Sequence, residues 1–165
     1  MVSAIKPPKS AFLVVDGRRW RTSDPNIPQN LRQELVNELM SARRAVRYGE
    51  SRDEISRGRR RVDDAKVALG ERGHAWWLLP KPVETNRRIE AAVRALLHSR
   101  QPRGTICPSD VARIVGGTTW RRFLPVVRER AVRMAERAEL EIVRRGRVVR
   151  RNLTEGVLRY RRRAR

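Results

Sequence analysis

Cysteine occurs once in this 165-residue chain, at Cys107. That excludes an internal disulfide framework and any cysteine-rich zinc site. The two histidines, His74 and His98, stand far apart in sequence, so neither a metal site nor a cofactor is expected. Carboxylates are scarce, 18 against 39 basic residues, and lysine supplies only four of those. No run approaches the ~18 apolar residues a membrane helix needs. Residues 1–9 lack an apolar core, so a signal peptide is not expected either. Walker, Gly-x-Gly-x-x-Gly and Gly-x-Ser-x-Gly patterns are missing, and an enzyme is not expected. These absences point to a cytoplasmic protein with no membrane partner.

What is abundant is arginine. Thirty-five arginines bring the net charge to +21. A compact chain this basic repels itself and is drawn to polyanions, chiefly through release of counterions from phosphates. Arginine also offers a planar fork for phosphate and guanine. GC-rich coding alone would account for arginine in place of lysine, but not for the shortage of acids. The charge is uneven. Residues 1–80 hold 16 basic and 10 acidic groups, and residues 81–165 hold 23 and 8.

The pattern reads as mainly α with small β-hairpins (α+β). Residues 1–10 form a basic arm. Residues 11–79 form a β-hairpin plus an αα-hairpin. Phe12 to Val15 and Arg18 to Arg21 flank Asp16-Gly17, a strong two-residue turn signal. Leu31, Leu35, Leu39, Ala42 and Val46 recur at helical spacing from about Gln29 to Tyr48, and Ile55, Val62, Ala65 and Leu69 from about Asp53 to Leu69. Gly58 weakens the second helix. Trp76 and Trp77 are expected to pack back on this unit. Pro80-Lys81-Pro82 marks a linker over residues 80–84.

Residues 85–160 then read as helix, short strand, short helix from Pro108 to Val115, longer helix from Pro125 to Ala138, and an arginine-rich hairpin around Gly146. That is the order of a winged helix-turn-helix. Residues 161–165 form a basic tail.

Three blocks within this half, Thr105 to Ala112, Trp120 to Arg128 and Ile142 to Val149, resemble a small bacterial family of unknown function with a winged-helix-like fold. The family's closing Gly-Pro-Ile-Arg-Leu-like strand is replaced here by Gly156 to Tyr160. The first half is similar to an actinobacterial module through Gly17 to Arg21 and Lys66 to Gly73. These resemblances imply fold more than activity.

The expected partner is DNA, bound at the nucleoid or at regulatory sites. Candidate contacts are Arg121 and Arg122 before the longer helix, Arg128, Arg130, Arg133 and Arg137 on it, and Arg144, Arg145, Arg147, Arg150 and Arg151 on the hairpin. For the helix, an ordinary solvated face with i,i+4 pairs such as Glu129–Arg133 competes evenly. The hairpin favours phosphate contact more clearly. Two alternatives stay open. One is an RNA- or ribosome-associated protein. The other is an assembly protein or homodimer that pairs through the helical hairpin, where Leu31, Leu35, Val36, Leu39 and Met40 make an apolar band. Trp20, Trp76 and Trp77 could stack on unpaired bases, although core packing is the commoner use of tryptophan.

Overall fold

A computed structural model describes residues 6–102, 104–150 and 155–163. Arg151, the first half of the expected arm and the end of the expected tail lie outside the described residues. Strands β1 (Phe12–Val15) and β2 (Arg18–Arg21) pair antiparallel, with Leu13 opposite Trp20. Their turn puts Asp16 at φ 50° and Gly17 at φ 73°. That left-handed pair matches the twist of the strands and is the conformation Asp-Gly favours.

Helices α1 (Gln29–Arg47) and α2 (Arg52–Leu69) follow close to their expected bounds. A capping box opens α2. The Glu54 N–H donates to Ser51 Oγ at 3.2 Å, and the Ser51 N–H donates to the Glu54 carboxylate at 3.2 Å. Gly58 is buried against α1. A Cβ there would stand 2.8 Å from Val46 Cγ2 and 3.1 Å from its backbone nitrogen. The glycine costs helix propensity, but it lets the two backbones approach. Across the same contact, buried Glu38 accepts from Arg61 Nε at 2.7 Å and Nη2 at 3.0 Å, a two-point pairing that only a guanidinium makes. Trp76 Nε1 donates to the Thr22 carbonyl at 3.1 Å, and Trp77 meets Phe12 edge-on at 5.4 Å. Both indoles thus pack against the base of the β1–β2 hairpin.

Helix α3 runs from Pro82 to Ser99. It begins inside the segment expected to be a linker. Pro82 occupies the first helical turn, where its missing N–H costs nothing, and the Glu84 carboxylate accepts from the Lys81 N–H at 2.7 Å. Seven α3 residues are buried, Ile89, Ala91, Ala92, Val93, Ala95, Leu96 and Leu97. They wrap more than one face of the helix, because α3 packs on α1 and α2 as well as on the elements that follow it. One hydrophobic cluster therefore extends from Ile27 and Leu31 to Ile142 and Tyr160. The two halves share a core, and residues 80–84 do not separate independently packed units.

Beyond α3 come β3 (Thr105–Ile106), α4 (Pro108–Gly116), a 3-10 turn (Gly117–Phe123), α5 (Leu124–Glu136), β4 (Leu140–Arg144), β5 (Arg147–Val148) and β6 (Arg159–Arg162). The sheet order is β3-β6-β4-β5, with every pairing antiparallel. The chain is thus helices with small antiparallel sheets. The last strand inserts between β3 and β4, so Tyr160 lies opposite both Ile106 and Ile142 and is fully buried. It starts at Arg159, slightly later than the Val157 expected from sequence.

Candidate nucleic-acid interface

The β4–β5 turn is built like the first hairpin. Arg144 pairs with Arg147, and between them Arg145 has φ 49° and Gly146 φ 79°. Glycine adopts this geometry freely. Arg145 does so at a cost of roughly 1–2 kcal/mol, since a Cβ crowds the following carbonyl. The turn leaves Arg145 and Arg147 exposed, and Arg150 follows, also exposed.

At the other end of this half, Gly116 and Gly117 break α4. Gly117 has φ 51°, and Gly116 lies so tightly under the Phe123 ring that a methyl group would collide with it. The resulting 3-10 turn brings Trp120 against two guanidinium groups, Arg113 at 4.6 Å and Arg121 at 4.7 Å from the ring centre. The ring contact holds Arg121 without neutralising it. Arg122 beside it is exposed. Sequence reasoning did not single out Arg113. Its only signal was a cation on α4 within reach of a tryptophan one turn beyond a double glycine.

The loop before β6 joins these two ends. Arg128 Nη2 on α5 donates to the Gly156 carbonyl at 3.2 Å, and Arg144 Nη2 on β4 donates to the Glu155 carbonyl at 2.7 Å.

The remaining arginines on α5 and just past its end behave differently. Arg130 reaches Glu90 of α3 at 3.3 Å. Arg137 reaches Glu90 at 3.1 Å and Glu139 at 2.7 Å. Arg94 of α3 completes the network, with Glu90 at 3.0 Å, Glu139 at 2.8 Å and Asp64 at 3.4 Å. Burial opposes the charge on Arg94, yet Glu139, Asp64 and Glu90 hold its pKa above the ordinary value. Burial raises the Asp64 carboxyl to about 6, against the pull of Arg94. Arg133 pairs with Glu136 at 3.5 Å on the surface.

The sequence-predicted arginines thus fall into distinct groups. Arg130 and Arg137 are drawn onto α3 and matched by carboxylates, so they add little to an external field. Arg133 shares its exposed ridge with Glu129 and Glu136. Arg121, Arg122, Arg145, Arg147 and Arg150 have no ion pair among the described residues. Among the described residues no three His, Cys, Asp or Glu side chains could hold a metal ion, and no helix is long and apolar enough to cross a membrane.

Residues 86–163 match the model of a family described as a protein of unknown function, DUF3253. That segment opens within α3 and closes just past β6. No curated protein matches the chain.

Proposed function

We propose that α3 to β6 is a winged helix-turn-helix that binds duplex DNA, mainly through its phosphates. In this reading α4 and α5 are the helix pair, the 3-10 turn and the start of α5 face the groove, and the β4–β5 turn is the wing. The succession helix, strand, two helices, then three strands supports it, as does the central position of β6 in the sheet. The single observation that carries the function is the distribution of unmatched charge. Five arginines, Arg121, Arg122, Arg145, Arg147 and Arg150, have no carboxylate partner among the described residues and sit at the turn and at the wing.

Backbone binding is favoured over base reading. The outward ridge of α5 carries Glu129 and Glu136 as well as Arg133. Carboxylates on that ridge oppose close approach to phosphate along the helix length, so the turn and wing do most of the holding. This suits a nucleoid-type protein better than a regulator with a narrow site.

The test is titration of labelled duplexes of unrelated sequence with the full chain, with structured RNA as competitor at equal salt. Similar affinity for the duplexes, little displaced by RNA, is the expected result. Preferential displacement by RNA transfers the surface to an RNA partner, and absence of binding at low salt removes the proposal. Pairing through the helical hairpin has less support. Leu31, Leu35 and Leu39 are buried within the chain itself, and of the five band residues only Met40 is exposed.

A further inference from the structure

Gly17 to Arg21 and Lys66 to Gly73 are far apart in sequence but adjacent in the fold. Arg21 Nη1 donates to the carbonyls of Gly73 at 2.9 Å and His74 at 3.3 Å. Lys66 Nζ lies 5.2 Å above the Trp20 ring. Leu13, Val15 and Trp20 share one face of the β1–β2 hairpin, because Leu13 pairs with Trp20 and side chains alternate along a strand. That face does not enter the core. Leu13 is 46% exposed, Val15 48% and Trp20 43%. It forms one wall of an open groove of about 960 Å³, whose other wall is α1, with Arg32, Val36 and Arg43.

The charge along this groove is one-sided. Arg18, Arg32, Arg43 and Lys66 line it, and none has an ion pair among the described residues. Two carboxylates oppose them, Asp16 at the hairpin tip and Glu71, which already accepts from Ser23 Oγ at 2.9 Å. Burial and the neighbouring Arg43 hold the Lys66 ammonium below its usual pKa, only partly countered by Glu71. An anion in the groove relieves that crowding. A flat apolar wall bearing an exposed indole, rimmed by unmatched cations, fits a ligand that is aromatic and anionic along its length.

We propose that this groove binds an unpaired nucleic-acid strand, with a base stacked on Trp20 and its phosphates on Lys66, Arg43, Arg32 and Arg18. A single strand offers a π-face at every base and a charge at every phosphate, the two features the walls provide. A duplex hides its bases, so this site goes beyond the winged reading and does not depend on it. DNA and RNA single strands share the chemistry, and both are used as probes.

The experiment is fluorescence anisotropy of labelled oligothymidylate and oligouridylate of about eight nucleotides, titrated with the full chain. Trp20→Ala is expected to weaken binding about ten-fold or more, and Trp20→Phe to retain most of it. Lys66→Gln and Arg43→Gln are each expected to weaken it several-fold. Arg145→Ala/Arg147→Ala, on the wing, is expected to leave short-strand binding unchanged while weakening duplex binding. Thermal melts of each variant establish that it is folded. The proposal is overturned if folded Trp20→Ala binds the strands like wild type, or if the wing variant abolishes that binding. It is equally overturned if an acidic, apolar peptide occupies the groove while neither oligonucleotide does.

Discussion

If the proposed duplex reading holds, removing Arg145 and Arg147 from the β4–β5 turn should change how binding responds to salt. Arg121, Arg122, Arg145, Arg147 and Arg150 have no carboxylate partner among the described residues. If each neutralises one phosphate, log K falls against log salt with a slope near −4.5. Wild-type affinity then drops about 500-fold between ~50 and ~200 mM salt. Arg145→Ala/Arg147→Ala leaves three contacts and a slope near −2.7, a drop of about 40-fold over the same interval. Arg144 is kept intact because it also holds the Glu155 carbonyl, and its loss would disturb the loop as well as the charge. The matching control is Arg137→Ala. Its guanidinium is already matched by Glu90 and Glu139, so the slope should stay at the wild-type value. Anisotropy titrations of one duplex at five or so salt concentrations provide the numbers. Equal slopes for the wing variant and wild type would refute the reasoning, and so would a slope lost in Arg137→Ala.

Four other outcomes are expected. Leu96→Ala, at a fully buried position on α3, should cost about 3 kcal/mol. Its melt should remain a single transition, and separate transitions by tryptophan fluorescence and far-UV circular dichroism would contradict the shared core. Asp64 and His98 should tilt the pH dependence of stability in opposite directions. Burial raises Asp64 to about 6, so its contribution is present at low pH and fades as pH climbs from about 4 through 6. Burial, with Arg162 and Arg61 nearby, lowers His98 to about 4, so its contribution is present above about 6.5 and fades as pH drops through 4. Each shift is worth about 3 kcal/mol. Relative to wild type, calorimetry should show Asp64→Asn gaining stability as pH rises across this window and His98→Gln losing it. Unaltered profiles in both would dismiss the linkage. Gly116→Ala should displace the Phe123 ring, lower the melting temperature and weaken duplex binding. A wild-type melt and affinity would mean that the turn tolerates the methyl group.

Elements defined by local chemistry were legible in the sequence. Asp16-Gly17 and Gly146 announced their hairpins, and periodic leucines located α1 within a residue or so. Proline chemistry was read in the wrong sense at Pro82. Two prolines around Lys81 suggested a stiff connector, but a proline at a helix start is equally favourable, and Glu84 caps the turn. The shared core was not legible, because α3 is apolar on several faces and nothing local shows which partners cover each face. The arginine stripe on α5 was visible, but its neutralisation was not. Glu90 lies 40 residues before Arg130, and only the packing of α5 on α3 brings them together. Gly58 likewise read as a weakness until its contact with Val46 gave it a purpose.

The way α3 is covered bears on any shortened form of this protein. Cut free of α1 and α2, the stretch from α3 onward would bare the side of that helix which now packs on them. A fragment of that kind, however faithful its arginine-bearing turns, would have to dimerise, precipitate or melt.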